Sequence, residues 1–376
     1  MNIDTIYMFA AFGDLSKPHA GGGQNSARRL KETLESMGIE VKIYNKFYNY
    51  KRGSVFDTIR KYLFWFIDMF LWGKFLLLKK RRNSPVLFLS YCGKLLPFDL
   101  AIGIISKILG YKVIFYYKGG GATISYEKGG WIYRFLFRWL MNLFDEVMTE
   151  GRETLSLVSS ISHTRTYYLP NYIENDFTPL SLPTREMDEL KFIYFGRIKE
   201  NKNILLIIDV FDKLCKKYPN IRLQLIGSGN ERYESSVHKK IALTNYQDHI
   251  SWISTATHER IKEILRDQHF FIFPSVEPKE GHSNALNEAM AWGVIPIVSH
   301  HNFLSDIVDD NSLVAKDYQV ESYVSIISDI IEKDRIKYYS DKVYNRVKNN
   351  YTEKIIVERL GKELDYFGQI NYSNAT

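Results

Sequence analysis

The order of apolar and polar residues divides the chain into short apolar runs and longer segments with helical periodicity. Runs such as 5–12, 86–90 and 191–195 have the length and the branched or aromatic content of buried strands. Segments such as 24–37 and 204–217 repeat apolar residues every three or four positions, which is typical of helices that pack on one face. Strands that alternate with helices predict an α/β fold with parallel sheets.

The chain contains two successive series of alternating strands and helices, which predicts two domains. Residues 1–173 contain the first series and residues 190–350 the second. Between them, 174–189 has two prolines and several acidic residues but little apolar periodicity, as expected of an interdomain linker. A final helix is predicted in 351–370, followed by a disordered tail at 371–376.

The stretch 269–299 reads as strand, loop, helix and strand, and it carries two carboxylates at a fixed spacing. Ser283 is a candidate helix N-cap. Glu280 lies in the loop before this helix and Glu288 on its second turn. The backbone N–H groups at a helix N-terminus bind anions. The arrangement suits a ligand with hydroxyls at two places and a negative charge between them, as a nucleotide sugar has.

A second candidate element follows the predicted strand at 191–195. Gly196 leads into a loop that contains Arg197 and Lys202 in an R-x4-K spacing. Arginine binds a diphosphate through a bidentate fork, and lysine binds it as a point charge. An isolated pair of surface cations is usually only solvated. The preceding strand and the following helix, however, place this pair at a strand's carboxyl end, where open α/β sheets bind ligands.

Glycine-rich turns occur at two further strand ends. Gly22 and Gly23 open the helix at 24–37, and Gly227 begins a G-S-G turn after the strand at 222–226. Glycine lets the backbone approach a ligand closely. Neither turn has the G-x-G-x-x-G spacing, so the sequence does not indicate a dinucleotide cofactor.

The E-x7-E spacing that begins at Glu280-Gly281 and the G-R-x4-K element at 196–202 resemble the donor-site motifs of the family-four retaining glycosyltransferases. The resemblance implies a GT-B architecture, in which two Rossmann-like domains with parallel sheets face a central cleft. It also implies a C-terminal helix that crosses back onto the first domain, retention of anomeric configuration, and no obligatory metal. A UDP- or GDP-sugar would be held mainly by the second domain and the acceptor by the first.

The same resemblance assigns roles to individual residues. Arg197 and Lys202 would neutralise the diphosphate, Glu280 would orient the sugar, and Glu288 would accept hydrogen bonds from the ribose. The first three are the expected catalytic residues. Further donor contacts are expected from residues of the loops and glycine turns, namely Gly196, Gly281, His282, Ser283, Asn284, Gly227, Gly22 and Gly23.

Acceptor contacts are expected from the first domain. Lys118 and Gly119 lie at the carboxyl end of a predicted strand, where many relatives carry a histidine that faces the transferred sugar. Arg134 and Arg138 lie one turn apart on the aromatic helix predicted at 131–144. Cations among aromatic residues suit lipid phosphates, although an amphipathic core helix with solvated arginines explains the same pattern.

A second aromatic helix is predicted at 55–80. Asp68 and Lys74 interrupt it, so a transmembrane helix is not predicted. It runs into the basic cluster Lys-Lys-Arg-Arg at 79–82. The excess of 50 Lys and Arg over 43 Asp and Glu gives a formal net charge of +7, which also suits an anionic membrane surface. A buried core helix with a solvated basic end is the alternative.

The remaining features narrow the function. Two separated cysteines argue against a disulfide framework or a zinc site, and the N-terminus has no basic region typical of a signal peptide. We therefore predict a cytoplasmic enzyme, peripheral on the inner face of the membrane, with no nucleic-acid partner. It would transfer a sugar to a glycan acceptor, expected to be lipid-linked, in bacterial surface polysaccharide synthesis of the capsule or O-antigen type. A nucleotide-sugar epimerase of the same architecture and a non-catalytic membrane-associated scaffold are the alternatives.

Overall fold

The computed structural model of the chain contains two compact units, each with its own parallel sheet. The first unit comprises residues up to Asn171 together with those from Ile356 onward, and the second is Tyr172–Ile355. This confirms the predicted α/β class. The residues that the structure describes are 3–16, 22–46, 55–79, 83–301 and 303–372.

The first unit has six parallel strands in the order β2-β1-β3-β4-β5-β6. The strands are β1 Thr5–Ala10, β2 Glu40–Asn45, β3 Val86–Ser90, β4 Val113–Tyr117, β5 Glu146–Thr149 and β6 Arg165–Tyr168. The helices are α1 Gly22–Ser36, α2 Val55–Lys79, α3 Leu96–Ile108, α4 Ala122–Lys128, α5 Trp131–Leu143 and α6 Arg152–Ile161, with α14 Glu353–Tyr372 near the C-terminus. α3 packs between α2 and α5.

Aromatic residues fill the core between the first sheet and its helices. Phe9 meets Trp72 and Phe88 edge to face, with ring centroids 5.1 and 5.2 Å apart. Phe115 stacks on Phe144 at 4.8 Å. Such pairs contribute about 0.5–1.5 kcal/mol each beyond their area burial. The helix α2 supplies Trp72 to this core, whereas other aromatic side chains of the same helix are exposed.

The second unit also has six parallel strands, in the order β12-β11-β10-β7-β8-β9. The strands are β7 Leu190–Phe195, β8 Ile221–Ile226, β9 Ile250–Ile253, β10 Phe270–Phe273, β11 Ile295–Ser299 and β12 Val314–Ala315. The helices are α7 Ile204–Cys215, α8 Glu231–Leu243, α9 His258–Leu265, α10 Asn284–Ala291, α11 Leu304–Val308, α12 Val320–Glu332 and α13 Ile336–Asn350. The strands β7 and β10 lie at the centre and are buried throughout except at Lys191.

The segment predicted as a linker, 174–189, belongs to the second unit. Arg185 donates hydrogen bonds to the carbonyls of Arg266 and Trp292, and Tyr344 donates to the carbonyl of Pro179 at 2.9 Å. These contacts attach the segment to the unit although it lacks apolar periodicity, the feature from which an interdomain linker was predicted.

The C-terminal helix belongs to the first unit from Ile356 onward. Glu363 forms an ion pair with Arg165, whose guanidinium lies 3.7 Å from the centroid of the Tyr366 ring. The helix continues to Tyr372, so the first two residues of the predicted tail are helical. The last four lie outside the described residues.

Four of the described helices, α4, α6, α8 and α11, were not predicted, and α11 has only five residues. In α8 only Tyr233 and Val237 are buried, and in α6 only Thr154 and Val158. So narrow a buried stripe leaves little apolar periodicity for sequence analysis to detect.

His269 makes the stability of the second unit depend on pH. Its side chain is buried, Nδ1 accepts a hydrogen bond from the backbone N–H of Lys191 at 3.1 Å, and burial lowers its pKa from 6.5 to about 4. The unfolded chain therefore binds the proton more readily, and stability falls as pH drops from about 6.5 towards 4. Between pH 7 and pH 5 we expect a loss of about 2 kcal/mol from this residue.

The change His269→Asn, which keeps an acceptor near Nδ1 but cannot titrate, should remove that part of the pH dependence. Thermal unfolding midpoints of both proteins at pH 7 and pH 5 measure it. An equal decrease in the two midpoints would contradict the assignment.

Candidate functional site

The predicted donor-site residues of the second unit lie in two loops that follow neighbouring strands. β7 and β10 pair in parallel, so the loops that leave their carboxyl ends lie side by side. The loop after β7 contains Lys202, and the loop after β10 contains Glu280 and leads into α10. The structure thus joins two motifs that are 78 positions apart in the sequence, at the edge where open parallel sheets bind ligands.

Lys202 and Glu280 form an ion pair with each other. Only 10% and 11% of the two side chains are exposed. The hydroxyl of Ser275 donates to the same carboxylate at 2.6 Å, and the ammonium lies 4.9 Å from the centroid of the Phe273 ring. Burial lowers the pKa of Lys202, while the charge of Glu280 acts in the opposite direction. The sequence predicted separate tasks for these two residues and did not predict that they pair.

The ammonium of Lys202 keeps hydrogen-bonding capacity. A lysine ammonium has three N–H donors, and Glu280 is its one hydrogen-bond acceptor in the described part of the chain. Two donors therefore remain for an anion.

Arg197 lies on the exposed side of the same loop. Its side chain forms no ion pair with any carboxylate that the structure describes. Its carbonyl accepts a hydrogen bond from the buried hydroxyl of Tyr194 at 2.9 Å, and Gly196 before it has a φ of 141°. The backbone of this turn is fixed from inside, so the guanidinium can bind an anion without losing a partner.

The N-terminus of α10 lies directly after the loop of Glu280. Ser283 is the N-cap, as predicted, and its hydroxyl accepts a hydrogen bond from the amide of Leu286 at 3.3 Å. Asn284 is the first helical residue, and Glu288 lies half-buried one turn later. The amides of the first turn and the carboxylate of Glu288 are therefore presented by one short helix.

His282, predicted to contact the donor, is turned into the unit. It is 3% exposed, its Nδ1 lies 3.3 Å from the amide nitrogen of Asn287, and its ring meets Tyr351 edge to face at 4.7 Å. The side chain ties α10 to the end of α13. Gly281, its neighbour, is half-buried between this anchor and Glu280.

The glycine turn after β8 packs against the turn after β7. Gly227 has a φ of 137°, and its amide donates to the carbonyl of Ile253 at 2.9 Å. A Cβ atom at Gly227 would collide with the carbonyl oxygen of Gly196. The indole of Trp252 donates to the carbonyl of Gly227 at 2.9 Å. Glycine at 227 is needed for this close approach of two backbones.

A second ion pair, which the sequence analysis did not single out, links the two loops. Lys199 pairs with Glu277, and the side-chain amide of Asn201 donates to the same carboxylate at 2.7 Å. The amide of Val276 donates to the carbonyl of Asn201 at 2.8 Å. In the sequence, this pair is indicated only by the equal spacing of the charges, since the two lysines of one loop and the two glutamates of the other are each three positions apart.

Lys118, in the first unit, is saturated by internal partners. It is 4% exposed and pairs with Glu150 at 2.5 Å. Its ammonium also donates to Ser26 and Asn171 at 2.7 Å each, and to the hydroxyl of Tyr116 at 3.2 Å. Its contact with an acceptor stays a prediction, and the contacts described here give it a structural role.

The predicted glycines of the first unit lie at strand and helix ends. Gly119 has a φ of 85°, and its amide donates to Glu150 at 2.9 Å. Gly22 and Gly23 begin α1. A Cβ atom at Gly23 would collide with the hydroxyl of Tyr91. Close packing within the unit thus explains glycine at 23, and its donor contact stays a prediction.

The arginines of α5 hold α4 in place. Arg134 donates to the carbonyls of Tyr126, Glu127 and Gly129 at 3.1, 2.6 and 3.0 Å. Arg138 donates to the hydroxyl of Tyr126 at 2.6 Å. Both side chains remain exposed, and their contact with an acceptor stays a prediction.

Comparison with known families gives a match over the region that holds both loops and α10. Residues 183–353 match the family model described as Glycosyl transferases group 1. This part of the chain is similar to group 1 glycosyltransferases. The match confirms the resemblance inferred from the two motifs.

Two curated relatives support the family. The chain is 22% identical over 227 residues to a phosphatidylinositol N-acetylglucosaminyltransferase component of Arabidopsis thaliana. It is 30% identical over 107 residues to GDP-mannose:cellobiosyl-diphosphopolyprenol alpha-mannosyltransferase of Xanthomonas oryzae pv. oryzae. The matches cover 60% and 28% of this chain, and 48% and 28% of the two relatives. The chain thus spans less than half the length of each.

The fold is shared with solved glycosyltransferase structures. Sucrose-phosphate synthase from Thermosynechococcus elongatus superposes with a TM-score of 0.73 over 97% of this chain and 99% of that chain, at 15% identity. This similarity shows the fold alone, and it confirms the predicted GT-B class with two Rossmann-like units.

The packing of the two glycine turns can be tested by Gly227→Ala. The added Cβ collides with the carbonyl of Gly196, so the second unit should lose about 1–3 kcal/mol of stability and the turn after β7 should shift. Gly110→Ala is the matched control, because φ is also positive there (80°) but no atom lies within 4 Å of the new Cβ. Thermal unfolding compares them, and equal losses would show that backbone strain, not the collision, is responsible.

Proposed function

We propose that this protein moves a sugar, with retention of anomeric configuration, from a UDP- or GDP-sugar to a hydroxyl of a glycan acceptor. The observation that carries the proposal is the joining of the R-x4-K and E-x7-E motifs through Lys202 and Glu280, beside the N-terminus of α10. This edge of the sheet combines cations, helix amides and carboxylates, which match the diphosphate and the hydroxyls of such a donor.

Stabilising the leaving diphosphate is the main step that these residues can perform. Negative charge builds up on it as the glycosidic bond breaks. Arg197 offers an exposed fork and Lys202 two N–H donors, while the first amides of α10 add the positive end of the helix dipole. These fixed donors supply the charge that a metal ion supplies elsewhere, so the proposal includes no obligatory metal.

The two glutamates would act at opposite ends of the donor. Glu288, on the second turn of α10, accepts hydrogen bonds from the ribose hydroxyls. Glu280 accepts from hydroxyls of the sugar and, through its ion pair, holds the ammonium of Lys202 in place. The carboxylate of Glu280 would thereby orient the sugar and also hold the Lys202 ammonium beside the diphosphate that leaves.

We propose a lipid-linked acceptor and a role in bacterial surface polysaccharide synthesis. The names of both relatives include a lipid, phosphatidylinositol in one and diphosphopolyprenol in the other. The exposed apolar helices of the first unit, described below, support the same interpretation.

A binding screen followed by a transfer assay tests the function. The protein is mixed with a panel of UDP-, GDP-, ADP- and dTDP-sugars, and a ligand at 100 times its dissociation constant should add about 2.7 kcal/mol of stability. Release of nucleotide that requires an acceptor identifies a transferase, whereas conversion of the donor without an acceptor identifies an epimerase. A scaffold would bind none of the panel.

The two glutamates should differ in their effect on nucleotide binding. Glu288→Gln removes an ionised acceptor for the ribose, so affinity for the nucleoside diphosphate should fall roughly tenfold. Glu280→Gln keeps a side-chain oxygen that can accept from Lys202 but loses the carboxylate beside the sugar, so nucleotide affinity should stay unchanged while turnover falls at least about tenfold. Calorimetry and initial rates measure both, with the exposed Glu263→Gln as control. Unchanged nucleotide affinity in Glu288→Gln would exclude the ribose role.

An apolar outer surface on the first unit supports association with a membrane. α2 exposes a row of apolar and aromatic side chains, of which Phe70 is 78% and Leu78 71% exposed. On α5, Trp131 and Phe135 are 78% and 60% exposed, and on α3, which packs between these helices, Ile108 is 77% exposed. Three neighbouring helices therefore turn apolar residues outward, far beyond the scattered exposure normal for a soluble surface.

The charges of this surface match an anionic bilayer. Arg60, Lys74 and Lys79 are exposed on α2, and each cation near such a surface contributes about 1 kcal/mol. The rest of the basic cluster, 80–82, lies outside the described residues. No helix in the described part of the chain has the length and hydropathy needed to span a membrane. We therefore propose peripheral binding to the inner face of the cell membrane.

Liposome flotation at low and high salt tests this proposal. The protein should float with anionic vesicles, and it should be released as salt rises because the attraction is partly electrostatic. Phe70→Glu should weaken flotation, whereas Leu243→Glu, at an 82% exposed position of α8 in the second unit, should not. Absence of flotation at low salt would exclude membrane binding, and loss of a dimer in Phe70→Glu would assign the surface to a second copy instead.

A further inference from the structure

The two loops that carry Lys202 and Glu280 are built as matching turns. The amide of Lys202 donates to the carbonyl of Lys199 at 2.9 Å, and the amide of Glu280 donates to the carbonyl of Glu277 at 2.9 Å. The first and fourth residues of such a turn lie close together. One turn therefore presents two ammonium groups and the other two carboxylates.

The turns meet in one register. Lys199 pairs with Glu277 at one end, and Lys202 pairs with Glu280 at the other. Between these pairs, the amide of Val276 donates to the carbonyl of Asn201 at 2.8 Å. A shift of either turn by one residue would break both ion pairs and this backbone hydrogen bond together.

Glu277 is the most connected residue of this arrangement. Its carboxylate pairs with Lys199 and accepts from the amide of Asn201 at 2.7 Å, and its carbonyl lies 2.7 Å from Nε2 of His301. Its side chain is 19% exposed and that of Lys199 27%, so the pair is less screened than one on the open surface. Burial would raise the pKa of Glu277, but the hydrogen bond and charge of Lys199 lower it below its ordinary value.

We propose that Glu277, acting through Lys199 and Asn201, is a positioning residue that sets the register of the two turns and so fixes the ammonium of Lys202 for the donor diphosphate. The proposal rests on the proposed function, since it assigns the diphosphate to Lys202. No contact of Glu277 with the substrate is involved.

The sign of a charge change separates positioning from simple electrostatics. Glu277→Lys adds positive charge near the diphosphate, which by attraction alone would tighten its binding. If Glu277 positions Lys202, the same change weakens binding because the register is lost. The double change Lys199→Glu with Glu277→Lys restores both the pair and the original net charge. Asn201 can hydrogen-bond to either a glutamate or a lysine at position 277, since its side chain offers both an N–H donor and a carbonyl acceptor.

The experiment measures binding of the nucleoside diphosphate of the best donor, and of the corresponding nucleoside, to the full chain by calorimetry or competition. In Glu277→Lys we expect diphosphate affinity to fall roughly tenfold and nucleoside affinity to stay within about twofold, because the nucleoside does not reach Lys202. The double change should recover most of the loss. Lys217→Glu, in an exposed ion pair with Glu332, is the control and should leave both affinities unchanged.

Three results would overturn the proposal: tighter or unchanged diphosphate binding in Glu277→Lys, equal losses for nucleoside and diphosphate, or no recovery in the double change. If Glu277→Lys does not fold, Glu277→Gln takes its place and should show a smaller loss of diphosphate affinity alone. Absence of nucleotide binding in the unmodified protein would overturn the proposed function itself, whereas normal binding with any of the three results overturns this inference only.

Discussion

The candidate site of the second unit depends on one constraint, that a buried ammonium needs a carboxylate beside it. Removing either member of a buried ion pair costs about 3–5 kcal/mol, because the other charge is left uncompensated. Lys202 and Glu280 can meet only because β7 and β10 are neighbours in the sheet. The ion pair therefore depends on the order of the strands and on the geometry of the two turns that carry the charges.

Two buried lysines at strand ends show how a structural cation differs from one available to a ligand. Lys118 has three hydrogen-bond acceptors, Ser26, Tyr116 and Asn171, for its three N–H donors, and Glu150 beside it as an ion pair, so it has no donor left for a ligand. Lys202 has one acceptor in the described part of the chain, Glu280, and faces the ring of Phe273 on another side. Both have a pKa lowered by burial, so it is the count of acceptors, and not the pKa, that separates their roles.

Much of the fold and the outline of the site could be predicted from the sequence. Buried strands of the parallel sheets are continuous apolar runs, and the spacings that begin at Arg197 and Glu280 marked the two loops. The pairing of these loops could not be predicted, because it depends on strand order. The structural use of His282 and Lys118 could not be predicted either, since burial of a polar side chain is decided by partners distant in sequence. The exposure of α2 likewise depends on which of its aromatic faces meets the sheet.

The charge balance of the two turns bears on selectivity. Lys199 and Lys202 are matched by Glu277 and Glu280, so the turns together contribute little net charge. A strongly basic loop would attract any polyanion. A loop whose positive and negative charges cancel binds tightly only an anion that fits between its fixed donors. The remaining attraction comes from the exposed Arg197 and the first amides of α10, which point in defined directions. For the anion proposed to bind at this edge, the positions of these donors would therefore matter more than the overall charge of +7.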